Sequence, residues 1–169
     1  MNVQEEFLKA YESFADAIFR HCYFRVYKHE QAKDLTQQTF MKVWQYLANG
    51  NEVENLRALL YKTANNLIID ESRRKRELTS LEELEERGSE PSANPRPSWD
   101  ADMDQQRIMP YLEQLEEGDR KVLILRYVDD LSPKEIAIAL DESANVISVR
   151  LHRAIKRLRL LIPSYVLPI

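Results

Sequence analysis

The sequence is poor in the features on which most secreted and membrane proteins depend. A single cysteine, Cys22, excludes a disulfide within the chain and favours a reducing compartment. No apolar run approaches the roughly 20 residues that a membrane-spanning helix needs. The first residues lack the basic and apolar regions of a signal peptide. We therefore expect a soluble cytoplasmic protein with no segment inserted in a membrane.

Motifs that carry enzyme chemistry are also scarce. The sequence has three glycines and shows no P-loop, no Gly-rich phosphate cradle and no nucleophile motif. His21, Cys22 and His29 suggest a metal site, but no CxxC or HxxxH pair accompanies them, which favours ordinary helix residues. The sequence therefore predicts no metal, no cofactor and no enzymatic activity.

Helical periodicity dominates what is present. Hydrophobic residues make up 44% of the chain and charged residues 31%, and no stretch shows sustained alternation of period two. Apolar spacing typical of helices occurs over residues 4–27, 33–47, 55–76, 103–116, 119–129, 132–140 and 144–161. The Asn-Gly-Asn sequence at 49–51 should end the second helix. A further short helix is predicted after Thr79 or Ser80, either of which can act as its N-cap.

A segment with the composition of a linker divides the chain. Residues 88–100, GSEPSANPRPSWD, contain three prolines and mostly small polar side chains. We therefore predict an all-α protein of two small helical domains, joined by a flexible acidic linker. The first domain covers residues 1–76, the linker 77–103, and the second domain 104–169.

The net charge of −4 hides a segregated pattern. Residues 57–76 carry six bases against two acids, and residues 143–169 carry five bases and no acid. Residues 77–104, between them, carry nine acids and two arginines. The average charge therefore says little about any one surface, and the two basic stretches favour contact with nucleic acid.

The stretch LSPKEIAIALDESANVISVRLHRAIKRLRLL, residues 131–161, has the pattern of two helices joined by a tight turn. Ser132 and Glu135 have the spacing of a capping box, and Pro133 suits the first position of a helix. Ser143 follows the turn and can cap the second helix. This arrangement predicts a helix-turn-helix.

The second helix of this pair has an apolar and a basic face. The apolar face consists of Ile147, Leu151, Ala154, Ile155, Leu158, Leu161 and Ile162. The other face holds the candidates for DNA contact, which are Ser148, Val149, Arg150, His152, Arg153, Lys156 and Arg157. In a major groove, Val149 can contact a thymine methyl group and the arginines can bind guanine edges or phosphates. A basic helix that simply faces solvent remains the alternative interpretation.

Three parts of the chain, in order, resemble bacterial sigma factors of the extracytoplasmic-function (ECF) group. DLTQQTFMKVWQYL, residues 34–47, is similar to the pattern DLxQExFxxxW of that group. LRALLYKTANNLIIDESRRKRE, residues 56–77, resembles the pattern that follows it, WLYxIAxNxxxDxxRxxxR. GDRKVLILRYVDDLSPKEIAIAL and VRLHRAIKRLRLL resemble the C-terminal DNA-binding region of the group. Each motif alone is weak, but the ordered set is specific.

The resemblance implies a subunit of the transcription machinery. A sigma factor of this group binds core RNA polymerase through the β′ clamp helices and the β flap. It carries the polymerase to promoter DNA, where its region 2 opens the −10 element and its region 4 reads the −35 element. The two predicted domains would be these regions. The family also implies control by an anti-sigma factor, and it requires no homo-oligomer.

Two sets of residues in the first domain match these tasks. The resemblance assigns binding of core polymerase to a polar helix face with one methionine, formed by Asp34, Gln38, Met41, Lys42 and Gln45. The residues suited to the −10 element, with the four cations holding phosphates of the duplex upstream, are Tyr61, Asn65, Asn66, Arg73, Arg74, Lys75 and Arg76. Asn66 matches the position beside the pocket for a flipped base, where an amide supplies both a donor and an acceptor. The alternatives are a solvated helix face, a Tyr61 packed in the core, and an Asn66 that caps locally.

The sequence departs from the family pattern in the helix-turn-helix. The turn carries Asp141 where glycine is usual and Glu142 where an apolar residue is usual, although aspartate tolerates left-handed backbone geometry better than most residues. Ser148 stands at a position that is often basic, and Val149 at one that is often serine. Ile138 replaces a commonly charged residue and is either a partner-binding spot or an ordinary exposed apolar residue.

Two other classes of function remain open from the sequence. A stand-alone transcription regulator would bind duplex DNA tightly without polymerase, through residues 131–161, and would use its first domain for dimerisation or sensing. An interaction protein would bind core polymerase or an anti-sigma factor without opening promoters. The acidic linker, for its part, is either solvated or occupies a cationic channel of the polymerase.

Overall fold

The chain forms two units in the computed structural model, which describes residues 2–82 and 103–165. All regular structure in these residues is helical and none is β-strand, which confirms the predicted all-α fold. Most of the predicted linker lies outside the described residues. None of the helices within them is long and apolar enough to cross a membrane.

Three helices make up the first unit: α1 (Val3–Val26), α2 (His29–Ala48) and α3 (Leu56–Glu82). Each of them packs against the other two. Since an amphipathic helix buries one face and leaves the other to solvent, the core is built from one stripe of each helix. The side chains most completely shielded at its centre include Ile18, Val43, Leu60 and Tyr61.

The turns that separate these helices follow from local backbone geometry. Tyr27 adopts the left-handed conformation, with φ of 55°, and its amide donates to the carbonyl of Tyr23 at 2.8 Å. Gly50 has φ of 85°, which glycine adopts without strain. The side-chain amide of Asn51 donates to the carbonyl of Tyr46 at 2.9 Å. The Asn-Gly-Asn sequence therefore ends α2, as predicted.

The third helix is longer than the sequence pattern indicated. It continues to Glu82, so the predicted end at residue 76 and the predicted new N-cap at Thr79 or Ser80 are wrong. The Thr79 hydroxyl donates to the carbonyl four residues earlier at 2.8 Å, and the Ser80 hydroxyl to the carbonyl three residues earlier at 2.9 Å. Both hydroxyls thus bond back into the same helix, a bond available to serine and threonine within a helix. The remainder of the predicted short helix lies outside the described residues.

The second unit contains α4 (Met103–Leu112), α5 (Glu117–Leu123), a π-helical segment (Ile124–Val128), α6 (Pro133–Leu140) and α7 (Ala144–Leu161). The helix predicted over 103–116 stops at Leu112, and the helix predicted over 119–129 is divided between α5 and the π-helical segment. The amide of Asp129 donates to the carbonyl of Ile124 at 3.0 Å, the wider spacing of a π-helix.

The helix-turn-helix forms from α6 and α7 by the predicted caps. The amide of Glu135 donates to the Ser132 hydroxyl at 3.2 Å, and the Glu135 carboxylate accepts from the Ser132 amide at 2.8 Å. Asp141 takes the left-handed conformation, with φ of 55° and ψ of 46°, at the end of α6. Ser143 then accepts from the amide of Val146 at 3.2 Å. The turn therefore accommodates aspartate in place of the usual glycine.

Replacing Ser132 by alanine removes the side-chain half of the capping box. We expect the second unit to lose about 1 kcal/mol of stability, the usual effect of losing an N-cap. Hydrogen exchange of the α6 and α7 amides measures this loss for the second unit separately. Ser148→Ala is the matched control, because Ser148 is exposed within α7, and it should change stability by less than about 0.5 kcal/mol. Equal amide protection in Ser132→Ala and the unsubstituted chain would contradict a stabilising role for the box.

Candidate nucleic-acid and partner surfaces

The predicted polymerase-binding side chains lie together on α2. Phe40, Val43 and Leu47 turn into the core of the first unit. The opposite side of the helix, which we call the α2 face, is exposed and consists of Asp34, Gln38, Met41, Lys42 and Gln45. Met41 is 60% exposed, so a flexible apolar side chain stands among polar ones. Such a surface suits the docking of a partner helix.

Trp44 of α2 lies one helical turn after Met41 and belongs to an aromatic cluster with side chains of α1, which the sequence did not indicate. Trp44 is 36% exposed and has its ring 5.1 Å from that of Phe7. Tyr11 is also exposed and lies 4.9 Å from the ring of Phe40. The spacing of four residues between Phe7 and Tyr11 was the available signal, since residues four apart share one face of a helix.

Tyr61 does not lie on the exposed side of α3. Its side chain is completely buried, and its ring meets the buried His21 edge-to-face with the centroids 5.2 Å apart. The guanidinium carbon of Arg57 lies 6.0 Å from the same ring. The prediction that Tyr61 contacts DNA is therefore inconsistent with this structure, and the core-packing alternative describes the residue.

The two neighbouring asparagines of α3 have different surroundings. Asn65 is 4% exposed, and its side-chain oxygen accepts a hydrogen bond from Arg25 at 3.2 Å. Its amide group therefore orients an arginine of α1 and is not presented to a base edge, contrary to the predicted direct contact. Asn66 is exposed and available to a ligand. Forty residues separate Arg25 from Asn65, so no local pattern pointed to this contact.

A basic stretch in the C-terminal half of α3, residues 73–76, carries exposed cations. Arg73, Arg74, Lys75 and Arg76 are all exposed, and Arg74 pairs with Glu71 at 3.3 Å. Lys75 donates to the side-chain oxygen of Gln31 at 2.7 Å, which joins α3 to α2.

Lys28 adds a further positive charge near Lys75, and this charge affects the pKa of Lys75. Although the Lys75 side chain is exposed overall, local desolvation of its amine and, after it, the nearby charge of Lys28 lower its pKa, whereas Glu71 opposes this effect. A phosphate placed beside Lys28 and Lys75 would offset their mutual repulsion. The local sequence pattern did not place Lys28 in this group, because it precedes α2 and lies far from Lys75 along the chain.

The predicted division of α7 into two faces is confirmed around its centre. Ile147, Leu151 and Ala154 are buried, whereas Leu161 at the end of the helix is 36% exposed rather than buried. The other side of α7, which we call the reading face, carries Ser148, Val149, Arg150, His152, Arg153, Lys156 and Arg157. Val149 is 44% exposed, so an apolar side chain does stand among these polar residues. Ile138 on α6 is likewise 44% exposed.

Two arginines of the reading face are paired with acids from other elements. Arg150 pairs with Glu142 of the turn at 3.2 Å. Arg157 donates to the carboxylate of Asp119, which belongs to α5 and is itself buried. This hydrogen bond raises the pKa of Arg157. A groove of about 390 Å³ runs along this side of the helix, lined by Asp119, Asn145, Val146, Val149, Arg150, Arg153 and Arg157.

Comparison with known protein families identifies both units. Residues 10–77 match sigma-70 region 2, and residues 105–158 match sigma-70 region 4. The chain is 30% identical over 146 residues to the RNA polymerase sigma factor YlaC of Bacillus subtilis (strain 168), which covers 85% of this chain and 84% of YlaC. The chain therefore belongs to the sigma-70 family.

Further relatives show to which group of the sigma-70 family the chain belongs. The chain is 29% identical over 151 residues to the ECF RNA polymerase sigma factor SigL of Mycobacterium tuberculosis, covering 89% of this chain and 85% of SigL. The fold is that of the sigma factor RpoE from Bartonella quintana, solved in complex with the anti-sigma factor NepR. That similarity has a TM-score of 0.68 at 23% identity and covers 93% of this chain and 96% of RpoE. Within the sigma-70 family, the chain is an ECF sigma factor.

Substitutions at Tyr61 and Asn66 distinguish a core residue from a surface residue. Tyr61→Ala should destabilise the first unit by about 3–5 kcal/mol, because it leaves a cavity where a large ring was buried. Asn66→Ala, five residues along the same helix, should change stability by less than about 0.5 kcal/mol. Hydrogen exchange of the α1–α3 amides in increasing urea measures both. A small effect of Tyr61→Ala would contradict its placement in the core and make its ring a candidate for DNA contact again.

Proposed function

We propose that this chain binds core RNA polymerase, directs it to promoters and starts transcription there. The observation that carries the proposal is the presence of both region 2 and region 4 in one chain, in that order. A stand-alone regulator needs a helix-turn-helix and has no use for a region that opens DNA. The relatives that match over most of their length carry the name of RNA polymerase sigma factors.

The α2 face is proposed to bind the β′ clamp helices of core polymerase. When one side of a helix is buried in the core, only the opposite side can bind a partner. On α2 this exposed side is the α2 face. Met41 and the partly exposed Trp44 supply apolar contact, while Asp34 and Lys42 offer charges of both signs at the rim. The second unit is proposed to bind the β flap.

Asn66 is proposed to hold a base of the opened −10 element. Its exposed amide can donate to and accept from a base edge. Extruding a base costs a few kcal/mol, and contacts to the extruded base and to the phosphates offset that cost. Arg73, Lys75 and Arg76 would bind phosphates near it, and Asn65 would act through Arg25.

The reading face is proposed to contact the −35 element in the major groove. Val149 suits a thymine methyl group, and Arg153 suits a guanine edge or a phosphate. Ser148 and His152 would supply further hydrogen bonds, and Lys156 a phosphate contact. Because Ser148 and Val149 depart from the usual family residues, the preferred −35 sequence should differ from that of relatives which keep them.

An anti-sigma factor is the proposed regulatory partner. RpoE was solved in complex with the anti-sigma factor NepR, and CnrH, another protein of this fold, in complex with the cytosolic domain of CnrY. We place the present chain in the cytoplasm, with core polymerase and promoter DNA as its other partners and with no enzymatic role and no cofactor.

Run-off transcription tests the proposed function directly. Purified core RNA polymerase, with and without this chain, is supplied with a library of random promoter-like templates. We expect transcripts that depend on the chain and that share two spaced sequence elements. Duplex binding by the chain alone, without any dependent transcript, would instead establish a stand-alone regulator. Binding to core polymerase without transcripts would establish a protein that only sequesters its partner.

Met41→Ala combined with Lys42→Ala tests the α2 face. We expect at least a tenfold weaker affinity for core polymerase, since removing central contact side chains from an interface commonly costs 1–2 kcal/mol or more. Fluorescence anisotropy of the labelled chain titrated with core polymerase measures the dissociation constant. Lys33→Ala is the matched control, because Lys33 is exposed on α2 but lies to one side of the α2 face. An equal loss in both variants would show that general charge, and not the α2 face, governs binding.

A further inference from the structure

We propose that Asp119 and Glu142 are positioning residues that hold two arginines of the reading face away from DNA phosphates. The inference rests on the proposed function only in taking the reading face as the DNA-binding surface. By engaging Arg157 and Arg150, the two acids restrict the electrostatic footprint of α7 to the cations that have no such partner.

The first pair joins α5 to α7. The side chain of Asp119 is only 8% exposed, whereas that of Arg157 is 55% exposed. A carboxylate removed from water is strongly destabilised unless a nearby cation and hydrogen bonds compensate for its lost hydration. Arg157 supplies that cation. If Arg157 moved to a phosphate, Asp119 would remain buried and unpaired. Breaking this ion pair is therefore unfavourable.

The second pair is specific to the unusual turn of this chain. Glu142 stands where the related pattern has an apolar residue, and its carboxylate lies 3.2 Å from the guanidinium of Arg150. Both side chains are about one-third exposed, at 33% for Glu142 and 34% for Arg150. Glu142 is more exposed to water than Asp119, so losing its arginine would cost this carboxylate less, and it should hold Arg150 less firmly. The unusual glutamate of the turn therefore contacts the reading face through one ion pair.

Two neighbouring cations lack such acids. Within residues 103–165, Arg153 and Lys156 have no carboxylate within ion-pair distance, and both are exposed. Arg153 shares the groove with Arg150 and Arg157, so paired and unpaired arginines line the same surface. The pairing, and not the position on the helix, separates the cations that are available to phosphates from those that are not.

The salt dependence of DNA binding measures this difference. When a protein cation neutralises a phosphate, counterions are released from the DNA. Each such contact makes the slope of log K against log salt concentration more negative by about 0.9. A random-sequence fluorescent duplex, titrated with the full chain at salt concentrations from low to physiological, gives the slope by anisotropy. We expect Asp119→Asn and Glu142→Gln each to steepen the slope by about 0.9, because each frees one arginine.

A matched control separates a freed arginine from a simple loss of negative charge. Glu117→Gln removes one charge from the same helix as Asp119, and Glu117 is exposed. It should leave the slope unchanged. The double variant Asp119→Asn with Arg157→Gln should return the slope to that of the unsubstituted chain. Circular dichroism of each variant checks that the helices are retained, and Glu142→Gln tests the idea at a pair that is not buried.

The outcomes divide clearly. Steeper slopes in Asp119→Asn and Glu142→Gln but not in Glu117→Gln, with reversal in the double variant, support the proposal. Equal slopes in all variants, the same increase in Glu117→Gln, or no measurable duplex binding by any variant at the lowest salt would overturn it. Run-off transcription is independent of this result, so a chain that fails to start transcription can still show the predicted slopes.

Discussion

The burial of Ile147, Leu151 and Ala154 fixes the face that α7 presents to its surroundings. Fully burying an aliphatic side chain contributes about 1.5–3 kcal/mol, so rotating the helix to expose these residues would cost several times the energy of any one surface contact. α7 packs on α5 and α6 along this stripe. The proposed DNA-contacting surface depends on this packing, because it leaves the opposite side of α7 as the reading face. The same constraint acts on α2, where Phe40, Val43 and Leu47 leave the α2 face free.

Much of this arrangement could be predicted from local sequence, because it depends on local rules. The capping box of Ser132 and Glu135 is a pattern of four residues, and the Asn-Gly-Asn sequence that follows the end of α2 is a pattern of three. The two faces of α7 follow from a period of 3.6 residues. The end of α3 was predicted wrongly because the prediction used local sequence alone. The hydroxyl of Thr79 has two uses in a helical sequence, as an N-cap or as a donor to an earlier carbonyl, and local sequence does not choose between them.

The polar contacts between helices could not be predicted in this way. Asn65 was assigned to DNA because its type and position fit, but its partner is Arg25, on a different helix. Tyr61 has a ring that can stack on a base or fill a core, and only the packing of α1 against α3 decides that it meets His21. Asp119 gave no signal at all, since nothing near it in the sequence indicates that Arg157 is its partner. Side chains of mixed character therefore required the tertiary structure, whereas the purely apolar ones did not, apart from Leu161 at the end of α7.

The turn of the helix-turn-helix shows how a departure from a family pattern is absorbed in two different ways. Asp141 meets a backbone requirement, since it adopts the left-handed conformation that glycine usually supplies. Glu142 meets no backbone requirement, and its effect passes instead to Arg150 on the reading face. A cation held by an acid contributes little to counterion release, and counterion release drives non-specific binding to DNA. If the reading face binds DNA as proposed, such pairing in a chain of net charge −4 lowers attraction to random duplex and leaves Arg153 and Lys156 as the cations available to phosphates. Under that proposal, affinity for a promoter would depend more on the partner that positions the reading face than on the number of its arginines.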